Sequence, residues 1–442
     1  MKWWFGIALW KRVLSALVLG VIVGSLLSQV IGEADAAAWL ETFIKPAGDL
    51  FIRLIQMLIV PLILTTLVAG VVALGDPKRL GTIGLKTIAL YFTTTIFANI
   101  IGIIFGILFR PGEGVSLGGA DAVPVDTGAA PALIDRLIAI VPQNPIAALA
   151  DGDILAVIFF AILIGVGILT AGRQGKLLGD FFNSAADVVL KVTHMVMEIA
   201  PFGVFALVAH TVAAQGFEAL ASIAVLIAAV YLGLIAHAVI VYGGIIRFVL
   251  NLPVMSFLRG IIDAIAVAYS TASSSATLPV TIANVTENLG VKRSVAGSVL
   301  PLGATINMDG TALYLGILAL FTAQAFGYDL TFTHYVLIAL TASLASIGAA
   351  GIPSASLFLL ATVLSVFNVP PEQIAIVVGF ILPVDRVMDM ARTALNVTGD
   401  ATVATAVAKW EGELDEARFR APADVPYEEP AAPPEIAEAD RD

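Results

Sequence analysis

The sequence predicts an all-α integral membrane protein in which two helical hairpins enter the bilayer without crossing it. Three observations carry this. Hydrophobic residues make up 59% of the 442 and charged residues 13%, with a mean hydropathy of +0.97, far outside the soluble range. Long apolar runs recur from end to end. Two of the later runs are interrupted by small residues with a proline, and each is followed by a helix bearing a polar patch.

The runs cover residues 13–32, 51–75, 87–109, 154–171, 196–213, 219–250, 294–326, 333–366 and 372–404. The longer ones suffice for a hydrocarbon core of about 30 Å, which takes about 20 helical residues. The N-terminal MKWWFGIALWKR leads into the first run without a clear cleavage site, so the first helix is expected to stay as an anchor. Cysteine is absent, which excludes disulfides and thiolate metal sites. His194, His210, His237 and His334 are scattered and are expected to be core or interfacial histidines rather than ligands.

The net charge of −11 has a local origin. Residues 410–442 hold eleven acidic and three basic residues, so this tail alone supplies −8. Its PADVPYEEPAAPPEIAEADRD is too rich in proline, alanine and glutamate to bury a core and predicts disorder. Basic residues cluster in Lys2, Lys11 and Arg12, in DPKRL with Lys86, in GRQGK, at Arg247 and Arg259, and in Lys292 and Arg293. GEADAAAWLE and residues 111–135 between them are acid-rich. The positive-inside rule then places the N-terminus in the cytoplasm and the 110–153 connection outside.

The broken runs come next. YSTASSSATLPVT interrupts residues 253–290, and ASIGAAGIPSAS interrupts residues 333–368. Small residues and proline release backbone groups from helical pairing, and in lipid such groups must face protein or a water-lined cavity. Each segment therefore predicts a hairpin. The helices that follow carry GATINMDGTALY (303–314) and DRVMDMARTALNVTGD (385–400). A hairpin-plus-helix unit repeated with opposite sidedness is the pattern of an inverted-repeat transporter with its site near mid-membrane.

In the last patch, a projection at roughly 100° per residue puts Asp385, Asp389, Arg392, Thr393, Asn396 and Asp400 within an arc of about 100°. Charges near the bilayer centre are costly and generally face a cavity or a protein interior. Pairing of Asp389 with Arg392 at i, i+3 would be structural, but it leaves Asn396, Asp400, Asn307 and Asp309 without a role. Carboxylate and amide oxygens, with carbonyls freed at an unwound NMDG turn, suit hard alkali cations. By chemistry alone both Na⁺ and H⁺ coupling stay open. SSSATLP has no base nearby to activate a hydroxyl and fits better as a donor loop for a carboxylate. An intramembrane aspartyl protease remains as a distant alternative; a passive channel would not need the repeated hairpins.

SSSATLPVT, GATINMDGTALY, SIGAAGIP and DMARTALNVTGD, in this order, closely resemble the dicarboxylate/amino acid:cation symporter family, the glutamate and aspartate transporters. The resemblance extends to about residue 413. It implies eight transmembrane helices plus two re-entrant hairpins, no enzymatic activity, and a homotrimer in the inner membrane with both termini cytoplasmic. Residues 1–75 would be scaffold helices 1 and 2, 76–110 transport helix 3, and 111–215 the outer connection with scaffold helices 4 and 5. Residues 216–413 would complete an elevator-type transport domain, followed by a disordered acidic tail over 414–442.

Carried over by motif, the resemblance implies that the backbone at Ala272 and Ile352, with Ser274 and Asn396, holds the main carboxylate of an acidic amino acid. Asp389, supported by Thr393, would bind its amino group; Thr311 and Arg392 would bind its side-chain carboxylate. Three Na⁺ sites are implied, with no organic cofactor and no nucleic acid. One resembles Gly303, Asn307, Asn396 and Asp400; a second Thr305, Met308, Ser346, Ile347 and Ala349; a third Tyr91, Thr94, Thr95, Asn307 and Asp309. Ala272 and Met390 stand where archaeal and animal relatives carry further arginines, so potassium counter-transport is not implied. Asp389, typically lacking in the dicarboxylate branch, favours an amino acid over succinate or malate. A proton-coupled glutamate or C4-dicarboxylate symporter is the alternative.

Overall fold

The computed structural model describes residues 7, 9–73, 77–115, 138, 140–215, 218–347 and 355–421. Within them the chain is helical, and the one β-contact among them is an isolated bridge between Val291 and Leu414. The first half runs α1 (Leu9–Ile31), α2 (Glu33–Phe43), α3 (Lys45–Ala73), α4 (Pro77–Phe109), α5 (Pro145–Asp151), α6 (Ile154–Ala171), α7 (Lys176–Met197) and α8 (Ala200–Gln215). Helix starts follow local chemistry. Asn144 caps α5 by accepting from the Ile146 and Ala147 amides, with Pro145 at the first helical position, and Asp153 caps α6 through the Ala156 amide.

The second half runs α9 (Glu218–His237), continued by two π turns, then α10 (Val254–Gly260), α11 (Ile262–Thr271), α12 (Ser274–Ala283), α13 (Arg293–Ile306), α14 (Asp309–Phe326), α15 (Phe332–Ile347), α16 (Ala355–Leu364), α17 (Pro371–Trp410) and α18 (Glu416–Arg420). Among the described residues, six stretches are long and apolar enough to cross a membrane, or up to eight if each of two bent helix pairs is one span.

Packing follows the small residues. Gly20 and Gly24 bring α1 onto α8, where a side chain at either would collide with Val208 or with the Ala209 carbonyl. Gly102 and Gly106 likewise seat α4 on α14. Both pairs have the four-residue spacing by which membrane helices approach closely. At the centre lies α14, buried without interruption from Asp309 to Ala323.

Two expectations are adjusted, and a third is met. Residues 196–213 do not span alone: α7 and α8 form one path bent by 48°, with Pro201, which has no N–H to donate, just past the break. The 294–326 run is parted at Asn307 and Met308, at the NMDG turn expected to unwind. Disorder does not begin at 414. The Lys292 amide donates to the Glu413 carbonyl and the Asp415 amide to the Gly290 carbonyl, Asp415 caps α18, and Phe419 is fully buried. Backbone pairing and one aromatic anchor hold this stretch, neither of which requires apolar periodicity.

Candidate transport site

The break between α13 and α14 is built by sequence. Pro301 inside α13 and Gly303 weaken the last turn, and Asn307 and Met308 leave helical geometry with φ/ψ of −86/86° and −117/50°. Side chains from α17 fill the gap. Asn307 Nδ2 donates to Asp400 Oδ1 at 2.9 Å and to the Asn396 carbonyl at 3.3 Å, while Asn396 Oδ1 accepts from the Gly310 amide at 2.8 Å. A side chain at Gly303 would run into Asp400 Oδ1 and the Tyr91 hydroxyl. Gly303, Asn307, Asn396 and Asp400 are thus brought together, and Asn307 Oδ1 has no hydrogen-bond partner among the described residues.

Asp309 lies next to this group and is 0% exposed. Its Oδ1 accepts from Thr95 Oγ1 at 2.6 Å and its Oδ2 from the Tyr242 hydroxyl at 2.7 Å, with His237 Nε2 3.3 Å away. Thr94 donates to the Tyr91 carbonyl, which also lies 2.8 Å from Thr95 Oγ1, and the Tyr91 hydroxyl donates to the Val299 carbonyl. The Tyr91, Thr94, Thr95, Asn307 and Asp309 set is therefore contiguous and buried. Tyr242 and His237 are additions the sequence did not offer; they sit 67 and 72 residues from Asp309, and no spacing rule joins them.

The Thr305, Met308, Ser346, Ile347 and Ala349 set is only partly described. Thr305 and Ile347 line a cavity of about 240 Å³ together with Thr66, Gly70 and Ser275. Ser346 donates to the Ser343 carbonyl, and Met308 Sδ accepts from Asn396 Nδ2. Ala349 and Ile352 lie outside the described residues.

Around Arg392, 1% exposed, the charges interlock. Its Nη2 is 2.8 Å from Asp389 Oδ1 and 3.1 Å from Asp385 Oδ1, and its guanidinium lies 3.8 Å over the Tyr314 ring. Tyr314 in turn donates to Asp385 Oδ1 at 2.6 Å. Nε and Nη1 have no hydrogen-bond partner among the described residues, so donors on either side of the committed Nη2 remain for a further acceptor such as a carboxylate. The Asp389–Arg392 pair is therefore real, but it occupies one nitrogen of three. Thr393 Oγ1 donates to the Asp389 carbonyl. Thr311 is buried one residue after Gly310, where α14 meets the Arg392 backbone.

The tip of the first hairpin is set by Ala272, in the left-handed region at φ 52°, and by Ser273, whose hydroxyl caps α12 at the Ala276 amide. Ser274 is buried there. Arg386 also reaches this tip, and the polar arc of the last helix missed it. It projects roughly 20° beyond Thr393, so a slightly wider arc would have included it.

A family model for the Sodium:dicarboxylate symporter family matches residues 9–410. The chain belongs to this family. The symporter is 38% identical to the Proton/glutamate-aspartate symporter of Escherichia coli (strain K12), over 91% of this chain and 93% of that one. It is 36% identical to the Proton/sodium-glutamate symport protein of Bacillus subtilis (strain 168), covering 94% and 95%. A C4-dicarboxylate transport protein from Rhodospirillum rubrum is 37% identical, covering 93% and 90%. These relatives are transporters, and the protease alternative falls. The geometry agrees, since Asp385 and Asp389 both face one guanidinium nitrogen of Arg392.

Proposed function

We propose that this symporter carries L-aspartate or L-glutamate into the cell together with Na⁺. The observation that supports this best is the convergence of α13, α14 and α17 at the helix break. There Asp309 and Asp400 sit fully buried among the oxygens of Thr95, Asn307 and Asn396, a donor set suited to hard cations. Beside it, Asp389 offers a counter-charge for an amino group, and Arg392 offers N–H donors without a partner among the described residues for a side-chain carboxylate.

On this reading Ser274 and Asn396 orient the main carboxylate, and Thr393 steadies Asp389. The chain works as an inner-membrane homotrimer with both termini in the cytoplasm. The hairpins, α4, α9, α13, α14 and α17 move as one unit past α1, α3 and α6–α8. The test is uptake by purified protein in liposomes, under imposed Na⁺ or pH gradients, with a panel of labelled acids. Uptake of aspartate or glutamate driven by Na⁺ alone is the expected result; uptake of succinate or malate only would overturn the substrate.

A second reading, proton coupling, is favoured by the name of the Escherichia coli relative. An aspartate can take either cation. Undiminished uptake in sodium-free buffer under a pH gradient would select it.

A further inference from the structure

The second arginine of the last helix, Arg386, has no part in the assignments above. It is nonetheless 7% exposed, among the most buried cations of the described residues. Its Nη2 donates to the Thr271 carbonyl at 3.1 Å, and its Nη1 lies 3.8 Å from Asp389 Oδ2. Nε and Nη1 have no hydrogen-bond partner among the described residues. The Thr271 carbonyl is therefore the acceptor that fixes where this guanidinium sits.

Thr271 is the last residue of α11, immediately before the left-handed Ala272. A carbonyl there has no intrahelical donor, and it lies at the negative end of the helix dipole. A buried guanidinium is a strong partner for such a group, and without it the carbonyl would be left unpaired next to the tip. Along α11, Ala264 and Ala268 pack with Val280 and Val397, small apolar contacts that hold the arm to α17 without directional specificity. Arg386 supplies the directional bond.

We infer that Arg386 is a positioning residue that clamps the tip of the first hairpin to the last helix and so fixes the Ser274 side of the substrate site. This rests on the reading of Ser274 and Asp389 as substrate-facing groups. The clamp itself can be measured without substrate. Loss of one charge-assisted hydrogen bond shifts a local opening equilibrium by about tenfold.

The chain has no native cysteine, so a single Thr277→Cys can report on the tip. Thr277 is 0% exposed, one turn into α12, and bonded to the Ser273 carbonyl. Its alkylation by a maleimide, in detergent without substrate or ion gradient, requires the tip to lift. With Arg386 present labelling is expected to be slow. In Arg386→Met, which keeps the packing of the stem and removes every donor, it should rise by about tenfold, and Arg386→Lys, which keeps a charged donor, should recover most of the protection. Arg386→Leu is the second donor-free variant should the methionine form not fold. Labelling at the parent rate in a folded donor-free variant would overturn the clamp, whatever the uptake assay shows. Failure of uptake in the parent protein would overturn the transport reading and leave the labelling result standing.

Discussion

Asn307 and Asp400, 93 residues apart, are joined by a 2.9 Å hydrogen bond that crosses from the break in one helix to the middle of another. The bond ties the proposed cation site to a fold contact, and the two can be separated. In Asp400→Asn the new amide oxygen can still accept from Asn307, but a full negative charge is gone. In Asp309→Asn the oxygen that accepts from Thr95 is likewise kept. Both variants should fold, and both should raise the Na⁺ concentration needed for half-maximal aspartate binding. Titration calorimetry or Na⁺-dependent uptake reads this directly; unchanged Na⁺ dependence in both would remove these carboxylates from the cation sites.

Arg392 has one nitrogen committed to Asp385 and Asp389 and two donors left over. If those two bind a side-chain carboxylate, Arg392→Cys should weaken aspartate binding by about 2–5 kcal/mol and admit serine, alanine or cysteine. Asp389→Ala should instead impair amino acids of every side chain. Full aspartate affinity in Arg392→Cys, with no neutral substrate gained, would make the arginine purely a partner of the two aspartates.

Gly303 and Gly297 lie on the same helix and should respond oppositely to alanine. A methyl group at 303 meets Asp400 and Tyr91, whereas at 297 nothing lies within 4 Å. Gly303→Ala should lose about 1–3 kcal/mol to overpacking and weaken Na⁺ binding. Gly297→Ala should match the parent in thermal midpoint and in Na⁺ dependence. Equal behaviour of the two would show that the cation cluster tolerates displacement.

The folded start of the tail moves the boundary of a harmless deletion. A cut at 418 would remove Phe419, which is fully buried against the base of the first hairpin. Ending the chain after 421 should leave uptake and thermal stability unchanged, while ending it after 412 should lower the melting temperature. Phe419→Ala should cost about 3–5 kcal/mol. Hydrogen bonds from Lys86 to Glu411 and from Lys409 to Glu416 hold both carboxyls below the ordinary glutamate range. Carboxyls depressed in this way contribute stability above their unfolded pKa and lose it as pH falls through the folded one. The docked tail should therefore loosen only in acid below that range, which hydrogen exchange of residues 413–421 would follow.

The sequence was most informative where one element carries its own signal. The arc from Asp385 to Asp400 is a property of a single helix, and the unwound turn at NMDG is a local consequence of asparagine and glycine in an apolar run. Small residues around a proline gave the first hairpin tip in the same way. What escaped was defined by meetings between distant segments. Tyr242 and His237 meet Asp309 only because the π-distorted end of α9 passes it. Phe419 looked like part of a solvated acidic tail, since a single anchor leaves no period to detect.

The continuous burial of α14 bears on how the protein is made as well as how it works. The stretch Arg293–Phe326 has a mean hydropathy of 1.3, against 2.1 to 2.6 for the other single spans. It carries Asn307 and Asp309 at its middle, where a carboxylate strongly opposes partitioning into lipid. During synthesis such a segment gains little from leaving the translocation machinery alone. Its stable insertion depends on α4 and α9 being in place to receive it, and on α17, made last, to supply the partners of the break. A nascent chain halted before residue 385 would therefore hold its central helix in the bilayer without the groups that satisfy it.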